Sequence, residues 1–226
     1  GVQAQKYVQQ LGTVGSESRN REVLRVGACL ADALHYLHHR NLVHRDVKSS
    51  NVMVLPDGRV KLLDFGTARV LDAADITEDG EFVGTYAYAS PEQCMGMRAD
   101  SRSDLYNYGV FLYRLITGRR PFSADDPHEL CRQHVEDPPP PLSRFVSDLD
   151  SDLEALVLGC LAKNPEDRPD SARIVYQEIR KMAGMDPGLP GTLSLDRSAG
   201  QIVGREEDFA RLCQFLKDAD SGGLCT

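Results

Sequence analysis

The sequence predicts a mainly α-helical domain carrying one small β-hairpin. Three observations lead there. Apolar residues recur at spacings of three and four between residues 20 and 39, the period of a helix with one buried face. A second helical run, 103 to 122, is apolar on most sides, as a helix at the centre of a large core must be. Two short apolar runs flank Pro56-Asp57-Gly58, a strong turn signal.

Taken in order, "NREVLRVGACLADALHYLHH" (20 to 39) places Val23, Val26, Leu30, Leu34 and Leu37 on one face, with Asn20 as the expected N-cap and Asn41 as the stop. His35, His38 and His39 are read as a solvated face of this helix. Metal binding is set aside because no acidic or cysteine ligand stands at a suitable spacing. "NVMVL" and "RVKLLDF" form the hairpin. Residues 67 to 90 show little periodicity and are read as a long ordered or switchable loop. In "SDLYNYGVFLYRLITGRRPF", Leu105, Tyr108, Leu112, Leu115 and Ile116 line one side, Gly118 is the expected residue just past the helix end, and Pro121 follows. Pro138 to Pro141 is a rigid loop between helical segments. Two more helices are expected at 151 to 163 and 171 to 182, joined by "NPEDRPDS", with Asp170 or Ser171 capping the second. After Ala183 the texture changes. Residues 184 to 201 are rich in Gly, Pro and Ser, a linker, and a patterned stretch over 202 to 226 opens a second unit.

Of 226 residues, 41% are hydrophobic and 27% charged, an ordinary globular balance. The net charge of −8 leaves no basic stripe, so no nucleic-acid partner is expected. No apolar run approaches the length of a membrane span, and no signal-peptide pattern is seen at the first residues. The six cysteines are scattered without a C-x-x-C pair, which points to reduced thiols and a cytoplasmic protein. The first residue is Gly rather than Met, so the chain is expected to be a piece of a longer protein.

The chemistry concentrates in "NLVHRDVKSSNVMV" (41 to 54), which brings His44, Arg45, Asp46, Lys48 and Asn51 between apolar flanks. Phosphoryl transfer needs positioning, neutralisation of phosphate charge and a group to take the nucleophile's proton. Asp46 suits the proton. Lys48 is a compact cation for the transferred phosphate. Asn51 offers a neutral oxygen and Asp64 a carboxylate, the hard ligands magnesium prefers. Gly66 frees the backbone to turn just beyond Asp64.

"HRDVKSSN", with "DFG" beginning eighteen residues after Asp46 and "SPE" at Ser90-Pro91-Glu92, resembles the catalytic core of the protein kinases. Val47 stands where the family usually has Leu, and Ser90 where it has Ala. Lys48, "GTYAYASPEQ" and "RSDLYNYGVFLYRLITGRRPF" look most like the eukaryotic-type (Hanks-type) serine/threonine kinases of bacteria. The resemblance covers residues 1 to 183 and implies the C-terminal lobe of that fold, a helical bundle with a small hairpin at the active site and the N-terminal lobe absent. It implies ATP and Mg²⁺ as cofactors and a protein Ser/Thr substrate. Asp46 would be the catalytic base and Lys48 the phosphate contact. Asn51 and Asp64 would be the metal ligands, and Met53 a further nucleotide contact. Arg45 would bind a phosphorylated activation loop, for which Thr77 is the candidate, and Thr85 would belong to the substrate-docking loop. Asp104 would anchor the catalytic loop, Glu92 and Arg168 would pair, and His44 and Phe65 would brace the site.

No glycine-rich G-x-G-x-x-G and no V-A-I-K-like strand occur, so the 226 residues alone are expected to transfer phosphate poorly. "IVGREEDFARLCQFL" resembles the opening of AAA-type or signalling ATPase modules, a possible ATPase partner in cis. Two other readings stay open. A pseudokinase would keep the fold without catalysis, though the intact Asp46, Lys48, Asn51 and Asp64 speak against it. A small-molecule phosphotransferase would lack the activation segment and the S-P-E motif.

Overall fold

The computed structural model describes residues 1–63 and 86–185. Within them the protein is mainly helical, as the periodicity predicts. The elements in chain order are β1 (Val2–Gln3), α1 (Ala4–Gln10), α2 (Glu17–His38), β2 (Val52–Val54), β3 (Val60–Leu62), α3 (Pro91–Cys94), α4 (Ser101–Thr117), α5 (Pro127–Glu136), α6 (Ser151–Cys160) and α7 (Ala172–Met182). No described helix is long and apolar enough to cross a membrane.

Helix α4 is the axis of the fold. Every residue from Ser103 to Tyr113 is buried, as is expected of a helix apolar on most sides. It starts at Ser101, where Asp100 and Ser103 close a reciprocal capping box, and it ends where predicted, at Gly118 with φ 77°. α2 packs against α4 and, most extensively, against α7, and α6 packs against α4. Two glycines allow the close approach. A Cβ on Gly109 would lie 2.8 Å from Cys160 Cβ, and one on Gly27 would lie 3.0 Å from Leu112 Cδ2.

The predicted hairpin is present, with Met53 opposite Lys61 and Val52 opposite Leu62. It is also the inner part of something larger. β1 adds antiparallel to β2, pairing Val2 with Val54 and Gln3 with Met53, and gives a three-stranded order β1-β2-β3. Val52 and Val54 are buried toward the helices while Met53 takes the opposite face.

Several boundaries differ from the sequence reading. α2 begins at Glu17 with Ser16 as N-cap; Asn20 lies inside the helix, its amide donating to the Gly15 carbonyl at 3.3 Å. Ser171, not Asp170, caps α7; Asp170 accepts from Arg102 instead. α6 stops at Cys160. Of the expected ordered or switchable loop, the described end, 86 to 90, is buried throughout: Tyr86, Ala87, Tyr88, Ala89 and Ser90. α7 ends in a left-handed turn at Gly184, φ 62°, where the linker was expected. The tail beyond residue 185 lies outside the described residues.

Candidate active site

The charged stretch is a loop that runs from α2 into a turn of 3₁₀ helix, Ser49–Asn51, and then into β2. Its backbone is hung on one carboxylate. Asp104, fully buried near the start of α4, accepts the His44 N–H at 2.8 Å on Oδ2 and the Arg45 N–H at 2.7 Å on Oδ1. Burying a charge without partners would cost several kcal/mol, so these bonds are what let it remain there. They also hold Arg45 at φ 67°, a left-handed conformation that bulky residues rarely adopt.

His38 corrects the sequence reading. Its Nε2 lies 2.9 Å from Asp104 Oδ2, and its side chain is only 11% exposed. It follows Leu30 and Leu34 at four-residue spacing, so the signal was present: His38 continues the apolar stripe rather than the solvated face.

Asp46, Lys48 and Asn51 do converge. Lys48 Nζ lies 2.8 Å from Asp46 Oδ2. Asn51 Nδ2 donates to the Asp46 carbonyl at 2.9 Å and to its Oδ2 at 3.0 Å. Both of those partners only accept, so the amide's orientation is fixed and its Oδ1 faces away from Asp46. His44 braces the group from below. It is fully buried; its Nδ1 accepts the Asp46 N–H at 3.3 Å, and its Nε2 stands 3.1 Å from the Leu63 carbonyl. A backbone N–H can only donate and a carbonyl can only accept. The ring is therefore the neutral tautomer carrying its proton on Nε2. Leu63 N–H also donates to the Asn51 carbonyl at 2.7 Å, which ties the end of β3 to the loop twice.

Met53 is not part of this group. It stands on the outward face of β2, with Gln3 and Lys61 as its cross-strand neighbours. The Arg45 carbonyl accepts from Gln93 Nε2 at 2.9 Å, while the Arg45 Nε is buried without a hydrogen-bond partner among the described residues. Asp64, Phe65, Gly66, Thr77 and Thr85 lie outside the described residues.

Glu92 and Arg168 pair as expected, with both guanidinium nitrogens on the carboxylate at 2.7 and 2.9 Å. Arg168 also donates to the carbonyls of Ala162, Lys163 and Arg102, and Ser103 Oγ donates to Glu92 at 2.6 Å. Burial pushes the Glu92 pKa up, but the Arg168 and Ser103 hydrogen bonds outweigh it and hold the pKa below the usual value.

A further network escaped the sequence reading. Tyr88 Oη lies 2.8 Å from Ser49 Oγ and accepts from Arg114 at 2.7 Å, and Ser49 donates to Gln5 at 3.2 Å. It joins α1, the loop, the segment before α3 and α4. No motif marks it, because its members are scattered along the chain and meet only in the fold.

The geometry agrees with what comparison finds. The family model for the protein kinase domain matches residues 3–179. The chain is 39% identical over 213 residues to the serine/threonine-protein kinase PknB of Mycobacterium leprae, covering 90% of this chain and 34% of that protein. It is 38% identical over 177 residues to PknB of Mycolicibacterium smegmatis, covering 77% and 28%. It is 38% identical over 212 residues to PknB of Mycobacterium tuberculosis strain H37Rv, covering 88% and 33%. The chain thus spans about a third of the length of these curated relatives. The family match takes in the loop, the β2–β3 hairpin, helices α1 to α6 and most of α7, and on that ground the chain belongs to the protein kinase family, of the Hanks type found in bacteria.

Proposed function

We propose that this chain carries the catalytic lobe of a serine/threonine protein kinase, which transfers the terminal phosphate of ATP to a protein hydroxyl. The observation that carries the reading is the convergence of Asp46, Lys48 and Asn51, with the Asn51 amide held by two acceptors of Asp46. Asp46 takes the proton of the attacking hydroxyl; the amide and ammonium beside it keep its carboxylate in one orientation. Lys48 contacts the phosphate in transfer. Arg45, whose Nε has no hydrogen-bond partner among the described residues, receives a phosphate carried by the activation segment, with Thr77 as the candidate.

The donor set fits a magnesium nucleotide. With its NH₂ spent on Asp46, Asn51 keeps Oδ1 as an acceptor, which takes the Ser50 hydroxyl at 3.2 Å. Asn51 and Asp64 would hold the metal, and Met53, on the outward face of the sheet, would lie against the nucleotide. Magnesium, when bound, neutralises phosphate charge and orients the reacting group. What supports the choice of Ser/Thr over another acceptor is Lys48 in this loop and the likeness to kinases of that name.

Two finer readings belong with this one. The 226 residues alone transfer phosphate poorly, because the sequence holds no glycine-rich phosphate loop. Residues 202 to 226 open an ATPase module in cis; the V-G-R-E run after a Gly- and Pro-rich linker supports it.

The test is phosphorylation of a generic protein substrate by the full-length protein with Mg·ATP. Asp46→Asn is expected to lower the rate by roughly 10²- to 10⁴-fold, the usual contribution of a positioned base. An undiminished rate removes Asp46 from the chemistry. A wild-type protein that binds Mg·ATP without transferring phosphate would make the domain a binding module instead.

A further inference from the structure

Gln93 lies one residue past Ser90-Pro91-Glu92, half-buried in α3, and both polar atoms of its side-chain amide are bound. Its Oε1 accepts from the Ser90 N–H at 3.0 Å and from Asn107 Nδ2 at 3.0 Å. Both of those partners donate, so this atom is the oxygen and the NH₂ stands on the other side. From there Nε2 donates to the Arg45 carbonyl at 2.9 Å.

The two halves of the amide serve different ends. The oxygen completes the capping box of α3, which Ser90 Oγ closes by accepting the Gln93 N–H at 3.3 Å. A glutamate would suit that box equally well. The NH₂ takes no part in the cap and reaches the loop instead. It lands on the peptide unit that leads into Asp46, a rigid plane whose two edges are the Arg45 carbonyl and the Asp46 N–H. Gln93 holds the first edge at 2.9 Å, and His44 Nδ1 takes the second at 3.3 Å, the longer bond. Arg45 stands at φ 67° with its own N–H on Asp104 Oδ1 at 2.7 Å. Asp104 therefore sets the plane before Arg45, and Gln93 the plane after it. A turn of that second plane about Arg45 carries Asp46 with it, and so moves the carboxylate that lies against Lys48 and Asn51.

We propose that Gln93 is a positioning residue for the transfer step: its NH₂ fixes the peptide before Asp46 and so aims the Asp46 carboxylate at the acceptor hydroxyl. The inference rests on the reading of Asp46 as the base. α4 supplies the anchor. Asn107, buried one turn after Asp104, holds the Gln93 oxygen while its NH₂ also donates to the Tyr88 carbonyl, which fixes the orientation of both amides. One helix thus sets the loop on both sides of Arg45, directly through Asp104 and by way of Gln93.

The discriminating variant is Gln93→Glu in the full-length protein. It keeps an oxygen for Ser90 and Asn107, loses the NH₂, and sets a second oxygen against the Arg45 carbonyl. Phosphorylation of a generic protein substrate with Mg·ATP is measured per folded molecule, beside thermal melting. kcat is expected to fall roughly 10- to 100-fold, the effect of a small misplacement of a reacting group. The KM for Mg·ATP and the melting midpoint should stay near wild type. Gln93→Ala, which removes the cap as well, should lose as much rate and also melt earlier; it decides the matter if the added carboxylate unfolds α3. In an Asp46→Asn background neither substitution should slow the residual rate further, since a residue that acts through Asp46 then has nothing to aim. A purely structural contact would not lose its effect in that background. Full kcat in folded Gln93→Glu overturns the inference, as does full kcat in Gln93→Ala. The same fold loss with and without the Asp46 carboxylate, or a raised KM at unchanged kcat, overturns it too. An Asp46→Asn variant as fast as wild type, or a wild type that transfers no phosphate, ends the reading of Asp46 and this inference with it.

Discussion

Asp104 holds three donors, the N–H groups of His44 and Arg45 and the His38 ring, on the two oxygens of one buried carboxylate. Replacing it by Asn keeps one oxygen and turns an NH₂ toward groups that also donate. A buried donor left unsatisfied costs about 1–3 kcal/mol, so Asp104→Asn should lower stability by that order, read as an earlier urea midpoint. Phosphate transfer should fall with it, because Arg45 loses the bond that keeps its left-handed turn. Arg168 is the second such residue, with a side chain wholly excluded from solvent. Removing one partner of a buried ion pair typically costs about 3–5 kcal/mol. Arg168→Ala should therefore leave little folded protein at 37 °C, measured by circular dichroism. Arg168→Lys should not restore it, since an ammonium cannot make the two-pronged contact with Glu92 while also reaching the carbonyls of Ala162, Lys163 and Arg102. An unchanged melting curve for the alanine variant would make the pair a surface ornament.

At the scale of elements, α4 connects the site to the core, and its two ends are fixed differently. The C-terminal end needs only Gly118. The N-terminal end uses Asp100, which accepts from the backbone of Arg102 at 2.8 Å and of Ser103 at 3.2 Å. Ser103 Oγ accepts from the Asp100 N–H at 3.0 Å and donates to Glu92 at 2.6 Å. The cap is thus continuous with the Glu92–Arg168 pair. Asp100→Ala should cost about 1 kcal/mol, and a double mutant with Arg168→Ala should be non-additive because Asp100 binds Ser103, which shares Glu92 with Arg168. Gly109→Ala acts by volume instead. Its methyl would meet Cys160 and Leu161 and wedge α4 from α6, at a cost of about 1–3 kcal/mol. Equal thermal midpoints for wild type and Gly109→Ala would show that the interface has slack.

For the whole molecule, acid stability is the readable consequence of burial. His134 is fully enclosed between Tyr106 and Phe122, and its Nε2 has no hydrogen-bond partner among the described residues. Burial, with the Lys163 and Arg120 charges, lowers its pKa from 6.5 to about 3. The unfolded chain therefore binds more protons than the folded one between those values, and stability falls as pH drops below about 6.5. Glu92 acts in the same sense at lower pH, because its folded pKa is depressed and its contribution disappears as pH falls through the carboxylate range. Unfolding by urea should show roughly 2 kcal/mol less stability at pH 5 than at pH 7, from about 1.4 kcal/mol per pH unit. His134→Gln should flatten that slope. Identical stability of the wild type at the two pH values would mean that the imidazolium finds a partner on charging.

Motif and period made most of this legible in the chain. The order H-R-D-x-K-x-x-N, D-F-G, S-P-E named the family, and the apolar runs located α2, α4, α6, α7 and the hairpin, because neighbours in sequence are what a helix or tight turn brings together. α5 and the short β1–α1 unit were not picked out. β1 is two residues long and is a strand only because β2 offers it an edge. The same reason separates Asp46, Lys48 and Asn51, close in sequence and legible there, from what holds them in place. The bonds of His38 to Asp104 and of Tyr88 to Ser49 join positions tens of residues apart, and no local pattern encodes them. Local sequence set which polar groups would stand together in the loop. Long-range packing decided which buried partners would hold those groups still.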